Sequence, residues 1–281
     1  MEGSEAAVRA AIAAGRAHGI AVREPVVVRD VTNVLVHLAP APVIARVPLT
    51  LSLLRGRDWH TREVELAAWL AREGAPVAPP SDVVDPGPHE CDGVLLSFWR
   101  YVDHDPGRFD ARSAGRALRR LHETLERYPD GLDEFERLDE VARLLDRLEP
   151  SPVASAFDLD GLRAVHARLA AQPRRFARRP IHGDAHFGNV LWSREGPLWT
   201  DLENACSGPV ELDLACITWR DAPGTTAALA AYGSYDVDMV EAVTPYLCLF
   251  LAVWTIVIAQ RVRSERVLTE ARRRVGYALE M

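Results

Sequence analysis

The spacing of apolar residues changes once along this 281-residue chain, near residue 101, and that change constrains the fold more than any other feature. Before it lie short β-like runs at 26–28, 34–38, 43–47 and 93–98, with Pro40-Ala41-Pro42 as a turn between two of them. Two helical stretches interrupt these runs: 4–18, alanine-rich and capped by Ser4, and 61–73, stopped by Gly74. After residue 101 the period becomes helical. Ala114, Leu118, Leu121 and Leu125 share one helix face, and Leu138, Val141, Leu144, Leu145 and Leu148 share another. Residues 158–171, 211–220 and 237–263 continue the pattern, broken by a hairpin at 190–192 and 198–200. The expected fold class is α+β, with a small β-rich lobe over 1–100 and a larger, mainly helical lobe over 101–281.

Several function classes lack their markers. All 33 basic residues are arginine, so a Walker A loop, which needs Gly-Lys-Ser/Thr, is excluded. No G-x-G-x-x-G or G-x-S-x-G occurs. The four cysteines show no paired metal spacing and read as small buried residues in a reducing, cytoplasmic setting. The N-terminus has no basic leader, and the longest apolar run, 246–259, is shorter than the roughly 20 residues that cross a bilayer. A core helix and no membrane partner are expected. Net charge is -7 and concentrates in 101–160, which holds 15 acids against 9 arginines. That balance disfavours nucleic acid and favours a cationic small molecule.

Chemistry gathers in His182-Gly183-Asp184-Ala185-His186-Phe187-Gly188-Asn189 and in Asp201-Leu202-Glu203. An Asp, an Asn five residues on and a later Asp follow the order used by protein kinases. One carboxylate meets the hydroxyl to be phosphorylated, while an amide oxygen and a second carboxylate hold Mg²⁺. Asp184 is the candidate base; Asn189 and Asp201 are the candidate metal ligands. His182 and His186 flank Asp184 in an H-x-D-x-H pattern that also suits a metal hydrolase, and that alternative stays open. His182 reads otherwise as a hydrogen-bonding support of the loop.

With these residues assembled, the chain resembles the aminoglycoside phosphotransferase and choline kinase-like family, which has a two-lobed protein kinase-like fold. The resemblance rests on 182–192, on 199–203, on Asp213-Leu214-Ala215, on 115–122 ending at His122, and on 61–80. It implies Asp184 as catalytic base, with Asn189 and Asp201 on Mg²⁺. It implies ATP or GTP held by Arg46 with Glu63 as its ion-pair partner, by Asn33, and by the backbone of 98–101, including Phe98, Trp99 and Tyr101. Asp213 and His122 would brace the catalytic loop. The sequence departs from the family pattern twice: arginine replaces the usual phosphate-anchoring lysine, and the loop 29–33 lacks glycines.

The expected acceptor is a small cationic molecule, such as an aminoglycoside or tuberactinomycin-type antibiotic, with Glu203, Glu136 and Asp139 as candidate amine partners. A metabolite kinase of choline, homoserine or sugar type, and a non-catalytic binding module, are the alternatives. A monomer or homodimer is expected.

Overall fold

The computed structural model describes residues 2–49, 55–135, 137–148, 150–172, 176–219, 223–262 and 264–281. Five antiparallel strands form the N-terminal sheet: β1 (Glu24–Asp30), β2 (Asn33–Ala39), β3 (Val43–Pro48), β4 (His89–Cys91) and β5 (Val94–Arg100), in the order β1-β2-β3-β5-β4. Period-two alternation puts Val34, Val36 and Leu38 of β2 on one face, against Ala7, Ala11 and Ala14 of α1 (Glu2–Ala17). Helix α1 opens two residues before its expected Ser4 cap, and Ser4 Oγ instead donates to Asp30 at 3.0 Å. Helix α2 (Arg57–Arg72) lies on the cleft side of the sheet and carries Glu63.

Beyond Arg100 the chain is mostly helical: α3 (Ala111–Leu125), α4 (Arg137–Arg147), α5 (Leu159–Ala170), α6 (Val210–Thr218), α7 (Thr225–Tyr232), α8 (Val237–Val262) and α9 (Glu265–Glu280). Two two-stranded pieces hold the loops between them. β6 (Arg179–Ile181) pairs β9 (Cys206–Gly208), and β7 (Val190–Trp192) pairs β8 (Pro197–Trp199) as the expected hairpin. The fold is thus α+β, as the periodicity predicts. Gly115 sits where a Cβ would come 2.1 Å from the Ala228 carbonyl oxygen, so glycine lets α3 and α7 touch through backbone. Helix α8 is long and apolar enough to cross a membrane by length and composition, yet 61% of its most apolar window is buried. It packs with α4, α5 and α9 around Leu249, Val253 and Ile256.

Candidate active site

Strand β6 delivers the chain into the loop at 182–189, and one buried carboxylate organises that loop. Asp213, in the first turn of α6 and fully buried, accepts the backbone N–H of His182 and of Gly183, each at 2.8 Å. His122 Nε2 of α3 donates to the same carboxylate at 2.8 Å, and its Nδ1 lies 2.9 Å from the Tyr232 hydroxyl. Burial alone would raise the Asp213 pKa; the hydrogen bonds and the histidines beside it more than offset that, and the group stays below the usual carboxylate range. Gly183 has φ +82, and a Cβ there would sit 2.0 Å from the Asn204 carbonyl oxygen, so both backbone and space demand glycine. This bracing leaves Asp184 part-exposed at the cleft.

Both His182 nitrogens are occupied: Nε2 donates to the Thr200 carbonyl at 2.9 Å, and Nδ1 accepts from the Asp184 amide at 3.3 Å. His182 therefore has no lone pair left for a metal. Among the described residues no group of three or more His, Cys, Asp or Glu could hold a metal ion. The H-x-D-x-H reading thus loses His182 as a ligand, because both of its nitrogens hydrogen-bond within the site, while His186 Nδ1 accepts from the Gly188 amide at 3.0 Å.

Asn189 Nδ2 donates to the Asp184 backbone oxygen at 3.0 Å and to Asp184 Oδ2 at 3.3 Å, which turns its amide oxygen away from Asp184. Asp201 adopts a left-handed backbone, φ +67 and ψ 56, one of two such non-glycine positions among the described residues. Such an outlier persists only where surrounding contacts fix it. Asp184, Asn189 and Asp201 together line one cavity. An amide oxygen and a carboxylate form a hard donor set suited to Mg²⁺, which takes few protein oxygens.

Arg46 and Glu63 form the ion pair that the resemblance implies, from β3 to α2. The arrangement goes further than expected. Arg46 Nη2 also reaches Asp201 Oδ1 at 2.6 Å and pairs with Glu203, so one buried guanidinium meets three carboxylates. Burial would lower the Arg46 pKa, but the carboxylates reverse the direction and raise it. Burial, aided by Asp201, pushes Glu203 up to about 8 despite Arg46. Arg46 thus meets three carboxylates and, with Glu63, also lines the second cavity described next. Glu203, expected to meet an acceptor amine, is 6% exposed and turned to Arg46.

The other expected residues divide. Asn33, Trp99 and Tyr101 line a second cavity of about 370 Å³ between the sheet and the helical lobe, with Leu35, Ile44, Ala78, Val190 and Leu191. Asn33 Oδ1 is buried there without a partner. Phe98 does not line it: strand alternation points its fully buried ring into the core with α1. The amides of Phe98, Arg100 and Tyr101 already donate to the carbonyls of Pro86, Pro79 and Pro42, so they are not free to hold a purine. Glu136 lies outside the described residues. Asp139 is exposed on α4 and lines neither cavity. Its acidic neighbours are paired internally: Asp133 with Arg62, Glu134 with Arg178, Glu140 with Arg55 and Arg137. The acidic segment therefore offers the cleft little unpaired charge.

Three arginines escaped sequence reasoning. Arg137 Nη2 donates to the Gly183 carbonyl at 2.5 Å, next to Asp184. Arg55 donates to the Glu203 carbonyl at 3.0 Å and lies over the Trp59 ring at 4.1 Å. Arg29 lines both cavities, just after a register shift between Val27 and Arg29 that lets the edge strand re-aim it. The glycine-free loop was the available signal for Arg29: where backbone amides cannot approach a phosphate, a side-chain cation can.

The phosphotransferase enzyme family APH matches residues 29–243. Stress response kinase A of Escherichia coli (strain K12) is 37% identical over 111 residues, 36% of this chain and 33% of its own. The chain thus spans about a third of the length of the curated relatives it matches. Among solved structures, choline kinase LicA from Streptococcus pneumoniae superposes with TM-score 0.67 at 14% identity, covering 96% of this chain and 98% of that one. The GDP and kanamycin complex of APH(2")-IIIa superposes with TM-score 0.62 at 16% identity, covering 92% and 94%. At such identities these likenesses establish the shared kinase-like fold. On its family match over most of its length, the chain belongs to the APH phosphotransferase enzyme family.

Proposed function

We propose that this phosphotransferase moves the γ-phosphoryl group of ATP or GTP to a hydroxyl of a small molecule. One observation carries the reading. The two cavities share Arg29, Phe187, Gly188 and Asp201, and Asp184 and Asn189 border that junction. A nucleotide in the second cavity, beside Asn33, Trp99 and Tyr101, and an alcohol in the first would meet beside Asp184. On this reading residues 1–100 and Asn33, Trp99 and Tyr101 serve the nucleotide, and residues 101–281 serve chemistry and acceptor.

The chemistry asks for positioning and charge neutralisation. Asp184 orients the acceptor hydroxyl and takes its proton as the new P–O bond forms and the bond to the nucleoside diphosphate breaks. Asn189 and the Asp201 oxygen left free by Arg46 would hold Mg²⁺, which would supply charge neutralisation on the phosphates. Arg29 stands where charge spreads over the transferred group. Arg46 fixes Asp201 and Glu203 and lines the nucleotide cavity as well.

Solved relatives in complex with GDP, with ADP and with AMP-PNP support a nucleotide donor, and those with kanamycin, spectinomycin or choline kinase in their names support a small acceptor, antibiotic or metabolite. Four free cysteines suit a cytoplasmic setting. The test is incubation with ATP or GTP, with and without Mg²⁺, against a panel of antibiotics, choline, sugars and neutral alcohols, read by mass. One added phosphate, dependent on Mg²⁺, is expected. Nucleotide binding with no Mg²⁺-dependent turnover on any acceptor would instead favour the binding-module alternative.

A further inference from the structure

The acceptor side of the cleft has a wall that the proposed chemistry does not use. The cavity beside Asp184 measures about 370 Å³, the size of a drug-like ligand site. Its far side is built from Trp219, just past α6, and from Leu247, Phe250, Leu251, Trp254 and Ile258 of α8. The α8 residues fall at i, i+3, i+4, i+7 and i+11, one continuous helical stripe. Leu251, Trp254 and Ile258 are half-buried, while Leu249, Val253 and Ile256 on the other side of the helix are fully buried in the core. The stripe is therefore an apolar surface turned to the cleft.

Charge along this wall argues against a polyamine. The only carboxylates among the described lining residues are Asp184, Asp201 and Glu203. Asp184 and Asp201 belong to the phosphoryl-transfer apparatus, and Glu203 is held by Arg46. A quaternary ammonium fares no better. Binding such a group takes several aromatic faces converging around one point. Here Phe250 and Trp254 stack on one another, 7° apart with centroids 6.2 Å from one another, so their faces do not converge around one point. Phe250 already has the Arg137 guanidinium 4.2 Å from its centroid, a fixed positive charge that repels a second.

We infer that the acceptor is a neutral alcohol with a flat apolar body, which lies along Trp254, Leu251 and Ile258 and presents its hydroxyl to Asp184. This rests on the phosphotransferase reading for the hydroxyl, and on the wall alone for the apolar body.

Binding and transfer are measured separately, with 2-naphthalenemethanol as the neutral flat probe and kanamycin and choline as the cationic ones. Calorimetry on the full chain should show naphthalenemethanol binding, and mass spectrometry with ATP and Mg²⁺ should show it gaining one phosphate. Trp254→Ala and Ile258→Asn should each weaken its binding ~10-fold, leave nucleotide affinity unchanged, and leave unfolding by urea near wild type. Trp254→Phe should restore most of the affinity. Heat that disappears in Trp254→Ala without transfer to any probe would keep the acceptor wall and refute the phosphotransferase reading. Transfer to kanamycin or choline with no naphthalenemethanol binding would keep the phosphotransferase reading and overturn this inference. No naphthalenemethanol binding at all would overturn it as well.

Discussion

Replacing Asp213 tests how the catalytic loop is held. Its carboxylate receives three donors, the amides of His182 and Gly183 and His122 Nε2, all at 2.8 Å and all buried. Asp213→Ala leaves those donors unpaired. At about 1–3 kcal/mol for each buried unsatisfied group, the loss is on the order of 3–9 kcal/mol. Asp213→Asn can keep its oxygen at the Oδ2 position, where it still accepts from His182 and His122. Its amide nitrogen then faces the Gly183 N–H, and one donor is lost, about 1–3 kcal/mol. Urea unfolding at neutral pH should therefore rank wild type above Asn above Ala. The folded pKa of Asp213 is depressed, so its contribution is present above the ordinary value of 3.8 and is lost as pH falls through the lower folded value. The gap between wild type and Asp213→Asn should then narrow in strong acid. Phosphoryl transfer should fall in both variants, because Asp184 follows Gly183 directly. An Asp213→Ala protein within about 1 kcal/mol of wild type would refute the reasoning.

Further outcomes follow from other residues. Arg29→Ala should slow transfer about 100-fold, the scale of losing one charge-stabilising donor, with Arg29→Lys recovering part of it and nucleotide affinity little changed. Gly183→Ala should lower the melting temperature sharply, since φ +82 costs an alanine about 1–2 kcal/mol before its Cβ meets the Asn204 oxygen. Glu203 binds its proton up to about pH 8 when folded, against 4.5 ordinarily. The folded state therefore holds more protons across that window, and stability should decline as pH rises from 5 to 8; Glu203→Gln should flatten the decline in a series of urea melts.

Much of the fold was legible because tertiary structure here agrees with local pattern. β2 and α3 alternate or repeat cleanly, and each buries the face its pattern predicts. Helix α7, with sequence TTAALAAY, is apolar nearly all round and offers no face to read. Helix α9 went unread although Ala271, Val275 and Ala278 carry a usable helical spacing. In the site, the spacing singled out Asp184, Asn189 and Asp201 and the family resemblance Asp213, and hydrogen bonds tie Asp213 to the loop and Asn189 to Asp184. The acid count could not show which acids stay unpaired, because folding decides which arginine each one meets. Glu140 and Glu203 are acids in the count and paired groups in the fold. The amides of Phe98, Arg100 and Tyr101 could not be foreseen as occupied, because their partners, Pro86, Pro79 and Pro42, lie in other segments.

The central claim is that Asp184 aligns and deprotonates the acceptor at the meeting of two cavities. Asp184→Asn keeps the size and the Asn189 contact and removes the base. Measured side by side, phosphate transfer should fall about 10³-fold, the scale of general-base loss, while nucleotide affinity stays near wild type. Transfer at the wild-type rate in that variant would contradict the account.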